Sequence, residues 1–291
     1  MRAILLFLLG ASVALPQEGA APLLREKLLD RIRAIDTSMD GVLGFAAIDL
    51  TDGTAIEYHA QTIFPQASVI KVPVMIAAFR AAADRRVRLD EKVTLQPGEA
   101  RPGGDLYSAL QQGPVTLTIR QLMAHMIQSS DNTAANRMIA IVGMDRVNAM
   151  LEQFGLKDTR LRRIMLDSAA VQRGDENVST PHDMASLLAM LYAGKAADPS
   201  STSEMVAILK EVDGDVRKTV PAAIAVASKV GEYPGTRTEA AIVYLPGRPY
   251  ALSVCATYLR PGADPIPDIA ATVQQYFDKL AHSNRYGNRI Q

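Results

Sequence analysis

The sequence predicts an α/β protein of the α+β type, in which a five-stranded antiparallel sheet is flanked by helices and interrupted by an inserted all-helical region. Three observations support this fold class. Strand-like runs lie near both ends of the chain, helical patterns fill its middle, and an amphipathic helix precedes the first strand and follows the last one. The 291 residues are 48% hydrophobic, which is enough for a substantial core.

The predicted sheet is assembled from the two ends of the chain. Its elements are a helix over 22–36, strands over 41–50, 55–59, 222–229, 238–245 and 249–259, and a closing helix over 268–281. A Thr-Asp-Gly-Thr turn joins the first two strands, which is typical of a hairpin. We expect the sheet region to comprise 22–61 together with 203–291.

The middle of the chain, 62–202, is predicted to form the helical insertion, and both regions are expected to make one catalytic unit. Helices are predicted in this region over 68–84, 118–129, 134–142, 145–154 and 180–193, and one more, over 203–212, follows it. Thr118 and Gln121 form a capping box, and Thr180 followed by Pro181 begins another helix. The segment 157–179 lacks periodicity and is predicted to be a loop long enough to suggest a function.

The composition argues against several classes of function. The 31 Lys and Arg residues balance 31 Asp and Glu residues, so no basic surface for nucleic acid is expected. Cys255 is the only cysteine, which excludes an intramolecular disulfide, and its apolar neighbours predict a buried, unreactive thiol. The 4 histidines lack metal-ligand spacing, so we expect neither a metal nor a cofactor.

The N-terminus has the pattern of a secretory signal segment, predicted over 1–21. A basic start, Met1-Arg2, is followed by an apolar run over 3–14 that is too short for a stable membrane span. Cleavage after Ala14 and cleavage after Ala21 both fit the small-residue rule. We therefore expect export to the periplasm or the medium.

A serine and a lysine lie three residues apart at the start of a predicted helix. This spacing puts Ser68 and Lys71 on one face, within reach of each other. Apolar neighbours favour a buried, neutral Lys71, which can take the proton of Ser68 and make it a nucleophile. The helix start also offers the Ser68 N–H to a developing oxyanion. By itself, a polar helix start with a solvated lysine is the simpler alternative.

Two downstream tripeptides extend this pattern. Ser-Asp-Asn at 130–132 lies between two predicted helices, and Lys-Val-Gly at 229–231 ends a strand-like run. With the serine and lysine above, they resemble the motif set of the class A β-lactamases, which are penicillin-recognising serine acyl-transferases. Further similar runs lie at 44–49, 130–136, 179–184 and 235–237, so the resemblance spans roughly 23–280.

The resemblance implies a β-lactamase/transpeptidase-like fold and a role for each matching residue. Ser68 would attack a carbonyl, Lys71 would accept its proton, and Ser130 would relay a proton to the leaving nitrogen. Lys229 would add positive charge beside Ser130. The residues expected to bind substrate are Asn132, Gly231, Glu232 and Arg237.

The sequence departs from the family pattern at three positions. Val230 replaces a hydroxyl residue, so one hydrogen bond to a substrate carboxylate is lost, although Arg237 could still pair with that carboxylate. Glu232 is acidic where the family has a small neutral residue, although its backbone N–H can still face the oxyanion. Met165 replaces the omega-loop glutamate that activates the deacylating water. The groups that could replace this glutamate are Asp167, Asp175, Glu176, and Lys71 acting in both half-reactions.

These features predict an exported active-site-serine hydrolase of the class A β-lactamase type, which opens β-lactam amides through a Ser68 acyl-enzyme and deacylates slowly. The first alternative is a penicillin-binding-type D-Ala peptidase, amidase or esterase that β-lactams acylate. The second is a binding module without turnover. The expected partner is a small molecule, either a β-lactam or a molecule resembling a cell-wall peptide, and the expected state is a monomer.

Overall fold

The computed structural model describes residues 19–290. Its helices are α1 (Ala21–Ser38), α2 (Lys71–Ala83), α3 (Leu106–Leu110), α4 (Ile119–Gln128), α5 (Asn132–Val142), α6 (Met144–Gln153), α7 (Ser168–Gln172), α8 (Pro181–Tyr192), α9 (Pro199–Lys210), α10 (Asp215–Thr219) and α11 (Ile266–Ala281). Its strands are β1 (Val42–Asp49), β2 (Ala55–Tyr58), β3 (Phe64–Pro65), β4 (Lys92–Leu95), β5 (Val115–Thr118), β6 (Val178–Ser179), β7 (Val226–Tyr233), β8 (Thr236–Val243) and β9 (Tyr250–Thr257).

The central sheet has five strands in the order β2-β1-β9-β8-β7, and every neighbouring pair is antiparallel. The chain leaves this sheet after β2, forms the helices of its middle part, and returns in β7. This confirms the predicted fold class. Because β7 lies at the edge of the sheet, one side of its backbone is open to other contacts.

Apolar cores lie on both faces of the sheet. On one face, α1, α10 and α11 cover buried side chains such as Phe45 and Leu252. The other face packs against α8 and the helices around α2, where Met75 and Met184 are buried. Most of α2 is buried, as its nearly continuous apolar sequence requires. A polar side chain at the start of α2 is therefore held inside the protein.

The predicted N-terminal signal segment, 1–21, lies almost entirely outside the described residues, which begin at 19. Helix α1 starts at the end of that segment. Within 19–290, none of the helices combines the length and apolar character that crossing a membrane requires.

The third strand of the sheet differs from its prediction. The sequence pattern indicates 222–229, whereas β7 covers 226–233. Because its pairing with β8 continues past Gly231, the strand extends to Tyr233. The Pro-Gly turn that follows ends the strand, and Gly235 in that turn has φ 75°. Lys229 and Glu232 consequently lie within the strand, and Glu232 is paired in register with Arg237 on β8.

Several short helices and strands of the structure were not predicted from the sequence patterns. The predicted loop over 157–179 contains α7, and the helix predicted over 68–84 is a 3₁₀ turn, Ala67–Ile70, followed by α2. Helices α3 and α10 and the strand pairs β3–β6 and β4–β5 were not predicted. Each of these elements has at most five residues, too few for a recognisable period, and each depends on tertiary contacts.

The connection between α4 and α5 is held by Asp131, which is fully buried. Its Oδ1 accepts from the N–H of Ala134 at 2.8 Å and thereby caps α5. Its Oδ2 accepts from the N–H of Leu106 at 2.8 Å, at the start of α3. One carboxylate therefore ties the loop around α3 to the beginning of α5.

A second buried carboxylate, Glu239, lies on β8 beneath the start of α10. Its Oε2 accepts from the N–H groups of Asp215 and Val216 at 2.9 and 3.2 Å. Its Oε1 has no hydrogen-bond partner among the described residues. Burial raises the pKa of Glu239 to about 7, and the Val216 N–H opposes that change.

We predict that Asp131→Ala lowers the free energy of unfolding by about 3 kcal/mol, because two buried N–H groups lose their acceptor. Asp198→Ala is the matched control: Asp198 caps α9 through the Ser201 N–H at 3.0 Å but is exposed. It should cost about 1 kcal/mol. Urea denaturation of both variants measures the difference. Equal losses would contradict the role assigned to Asp131.

We predict that Glu239→Gln becomes more stable relative to the native protein as the pH rises from about 5 to about 8. The pKa of Glu239 is raised from 4.5 to about 7 in the folded state. Its stabilising contribution is therefore full below the unfolded pKa and is lost as the pH rises through the folded pKa. The relative gain should be about 3 kcal/mol at most. Urea denaturation across this range tests it, and a pH-independent difference would refute it.

Candidate active site

Ser68 lies on the 3₁₀ turn Ala67–Ile70 that leads into α2. The Val69 N–H donates to the Gln66 carbonyl at 2.9 Å and fixes the turn. Ala67 has φ 44°, a left-handed conformation that costs a non-glycine residue about 1–3 kcal/mol. The surrounding packing must therefore hold Ser68 in place, and the turn packs on β7.

The contact between this turn and β7 is made at Gly231. A Cβ atom at Gly231 would lie 2.7 Å from the Gln66 carbonyl oxygen and 3.0 Å from the Ser68 nitrogen. A side chain would therefore push the turn away from the strand. Glycine thus brings the predicted nucleophile against the edge strand that carries Lys229 and Glu232.

Lys71 is completely buried at the start of α2. Its Nζ donates to the Ser130 carbonyl at 2.6 Å and to Asn132 Oδ1 at 2.9 Å, and it lies 3.2 Å from Ser130 Oγ. Burial lowers the pKa of Lys71 well below its usual value, and the charge of Lys229 lowers it further, against the opposing charge of Asp131.

The three contacts of Lys71 can all be made by a neutral amine. Such an amine has two N–H bonds, which the carbonyl oxygen of Ser130 and the amide oxygen of Asn132 accept. The third contact joins Lys71 Nζ to the Ser130 hydroxyl oxygen, and in the neutral amine the lone pair of the nitrogen can accept the proton of that hydroxyl. The geometry therefore suits a lysine that acts as a base.

Ser130 lies between Lys71 and a second buried lysine, Lys229. Lys229 Nζ donates to Ser130 Oγ at 3.0 Å and to the Val230 carbonyl at 2.8 Å. Burial lowers the pKa of Lys229 to about 7, and the charge of Glu239 opposes this change. Ser130 has φ 54°, a second left-handed residue of the kind that clusters at functional sites.

These contacts form one continuous hydrogen-bonded chain from Lys229 through Ser130 to Lys71, which we call the proton path. Because Lys229 donates to Ser130 Oγ, the hydroxyl proton of Ser130 is free to point at Lys71. Asn132 is fixed beside the path, since its Nδ2 donates to the Pro102 carbonyl at 2.7 Å while its Oδ1 faces Lys71. The structure thus brings together Lys71, Ser130, Asn132 and Lys229, next to the turn that bears the predicted nucleophile.

Arg237, the predicted carboxylate partner, already pairs with two acidic side chains. Its Nη2 lies 2.8 Å from Glu232 Oε1, and its Nε lies 3.7 Å from Asp264 Oδ2. The Arg237 side chain is only 20% exposed, whereas that of Glu232 is 67% exposed. The sequence assigned Arg237 and Glu232 separate roles and did not indicate that they bind each other.

Met165 is buried in the loop between α6 and β6. Its N–H donates to Asn136 Oδ1 at 2.6 Å, and its carbonyl accepts from Asn136 Nδ2 at 3.1 Å. Asn136 lies on α5, the helix that begins with Asn132. The backbone of Met165 is therefore anchored to the element next to Lys71. The thioether offers no group that can take a proton from water.

The carboxylates proposed to replace the missing glutamate have other partners. Asp167 Oδ1 accepts from the Ala170 N–H at 2.9 Å and caps α7. Asp175 pairs with Arg173 at 3.1 Å, and Glu176 pairs with Arg163 at 2.6 Å. The last pair is largely buried and braces the loop. Asp167 and Glu176 thus have structural roles, whereas Asp175 forms an exposed ion pair.

Sequence patterns missed the roles of Asn136 and Glu239. Asn136 belongs to the matching run at 130–136, but its pairing with Met165 joins residues 29 positions apart. The signal for Glu239 was a single acid in the apolar strand pattern over 238–245. Cys255 agrees with its prediction: it is buried, and burial raises the pKa of its thiol to about 11.

Comparisons with known proteins show the family of this chain. A family model described as "Beta-lactamase enzyme family" matches residues 27–277. The chain is 29% identical over 249 residues to β-lactamase CTX-M-25 of Escherichia coli, covering 83% of this chain and 84% of that protein.

Solved structures show the same similarity. The β-lactamase from Sphaerobacter thermophilus superposes with a TM-score of 0.79 at 25% identity, covering 88% of this chain and 97% of that one. A mutant of PBP-A, solved as an acyl-enzyme complex with penicillin G, gives a TM-score of 0.79 at 25% identity, covering 91% and 100%. The family match spans most of the chain, and the fold follows its solved members. The chain therefore belongs to the β-lactamase enzyme family and is a class A β-lactamase-like serine hydrolase.

Proposed function

We propose that this protein opens β-lactam amides through an acyl-enzyme on Ser68 and releases the product slowly. The observation that carries the proposal is the continuous hydrogen-bonded path from Lys229 through Ser130 to Lys71, beside the Ser68 turn. The named relatives, which are β-lactamases, support the substrate class.

Acylation proceeds in two proton-balanced steps. Ser68 Oγ bonds to the amide carbon while its proton passes to neutral Lys71, and the backbone N–H groups of Ser68 and Glu232 receive the oxyanion. The carbon–nitrogen bond then breaks. Ser130 gives its proton to the leaving nitrogen and regains one from Lys71, which becomes neutral again. Lys229 keeps the Ser130 hydroxyl in place during this transfer.

Deacylation requires a water molecule whose proton is taken as its oxygen bonds to the acyl carbon. Met165 cannot accept that proton, and the nearby loop carboxylates are engaged elsewhere. Lys71 is the remaining base, and it must then serve both half-reactions. General-base assistance contributes about 10²–10⁴-fold, so a poorly placed base makes the acyl-enzyme long-lived.

A second candidate is a penicillin-binding-type peptidase, amidase or esterase that β-lactams acylate. Met165 favours it, since a reaction with cell-wall peptides or esters need not use the deacylation route of a β-lactamase. The similarity to PBP-A, whose mutant was solved as an acyl-enzyme with penicillin G, also supports it. A binding module without turnover is disfavoured by the intact proton path.

We also propose that the protein acts as an exported monomer on small molecules, in the periplasm or the medium. The basic start and the apolar run over 3–14 support export. The substrate would bind between the sheet region, 22–61 with 203–291, and the helical insertion, 62–202, because Lys229 comes from the first and Lys71 from the second.

We predict a burst of one equivalent when the protein is mixed with a chromogenic cephalosporin, followed by slow turnover. Intact mass should show the adduct on Ser68, and Ser68→Ala should abolish both signals because the nucleophile is gone. Ser129→Ala is the matched control and should keep the adduct, since among residues 19–290 the Ser129 hydroxyl bonds only to the His125 carbonyl. Absence of both burst and adduct would refute β-lactam acylation. Fast turnover without a burst would refute slow deacylation.

We predict that Met165→Glu accelerates deacylation about 100-fold or more, because a carboxylate there can take the proton of water. Met165→Gln has the same shape without a base and is the control. Decay of the acyl-enzyme mass after removal of free cephalosporin measures the rate constant. Equal decay in both variants would show that Met165 does not occupy the position of a missing base.

A further inference from the structure

The Glu232–Arg237 pair lies next to the reacting centre. Glu232 directly follows Gly231, the residue that contacts the Ser68 turn. Arg237 on β8 is the register partner of Glu232. A two-residue Pro-Gly turn joins the two strands, so the register brings the two side chains together. The pair is therefore fixed at the edge strand along which a substrate must lie.

The net charge around Arg237 is negative, whereas an arginine alone would make it positive. Two carboxylates, Glu232 and Asp264, lie within 2.8 and 3.7 Å of the single Arg237 guanidinium. The formal charge of the three groups is thus −1 when both acids are ionised. Val230 adds no hydroxyl that could bind an anion. A substrate carboxylate must displace Glu232 from Arg237 or lie beside it unpaired.

We propose that Glu232 is a specificity-determining residue: by occupying Arg237 it selects substrates whose group beside the scissile amide is neutral or cationic and disfavours those with a carboxylate there. The proposal rests on the proposed acyl-enzyme function. Penicillins and cephalosporins carry a free carboxylate at this position, so their acylation is slowed by a group of the protein itself. An ester or an amide at that position leaves the Glu232–Arg237 pair intact.

The exposure of Glu232 makes the pair replaceable without loss of the fold. Its side chain is 67% exposed, so a surface ion pair of this kind contributes little stability. Its effect on a substrate is larger, because an entering anion finds the Arg237 guanidinium already paired and meets the like charge of Glu232. Replacing Glu232 with glutamine removes the negative charge, keeps the shape of the side chain, and so isolates the effect of the charge on substrate binding.

The test compares a chromogenic cephalosporin as its free acid and as its methyl ester. The second-order rate constant for acylation of Ser68 is measured for each by rapid mixing and intact mass, in the native protein and in Glu232→Gln. We expect the acid-to-ester ratio to rise about tenfold in Glu232→Gln, which corresponds to about 1.4 kcal/mol. Arg237→Ala in the Glu232→Gln background should remove this gain.

Glu91→Gln is the matched control, since Glu91 forms an exposed pair with Arg88 at 3.5 Å and lies outside the site. Its ratio should equal that of the native protein. A ratio unchanged in Glu232→Gln, or changed equally in Glu91→Gln, overturns the inference while acylation itself still supports the proposed function. If neither the acid nor the ester acylates Ser68 in any variant, both the function and the inference are overturned.

Discussion

The burial of Lys71 is the constraint on which the site depends. An ammonium group with no exposed surface is costly, and the structure reduces this cost by lowering the pKa of the amine and satisfying its neutral form. The Ser130 carbonyl, the Asn132 amide oxygen and the Ser130 hydroxyl supply those partners. Their positions require the left-handed backbone of Ser130 and the buried cap made by Asp131. The positions of the apolar helix α2, the Ser68 turn and the proton path therefore depend on one another.

The sheet contributes a second buried lysine and the edge strand β7, along which we propose that the substrate lies. Lys229 has a pKa lowered to about 7 by burial, and Glu239, on the neighbouring strand, supplies the opposing charge. Gly231 allows the Ser68 turn to reach the strand. The same strand then places Glu232 on Arg237. In the proposed mechanism, acylation and substrate selection depend on this edge strand, whereas Met165, which lacks a base for deacylation, lies in a separate loop anchored by Asn136.

The sequence could predict what depends on local spacing. The fold class could be predicted from the alternating and helical apolar patterns. The residues that surround Lys71 could be predicted from a serine and a lysine one helical turn apart and from two tripeptides at helix and strand ends. The remainder depends on tertiary contacts between distant positions. The pairing of Glu232 with Arg237 follows from strand register, and that of Asn136 with Met165 from loop packing. The extension of β7 beyond Lys229 follows from its pairing with β8.

The most direct test of this account is the protonation state of Lys71 in the native protein. Lysine labelled at its side-chain carbon and nitrogen atoms can be titrated by NMR, with the Lys71 signal assigned from its absence in Lys71→Arg. Because burial disfavours the charged amine, the account predicts that the Lys71 signal titrates with a pKa well below the ordinary value of 10.5. A Lys71 that remains an ammonium group up to about pH 10 would contradict its role as the base that activates Ser68.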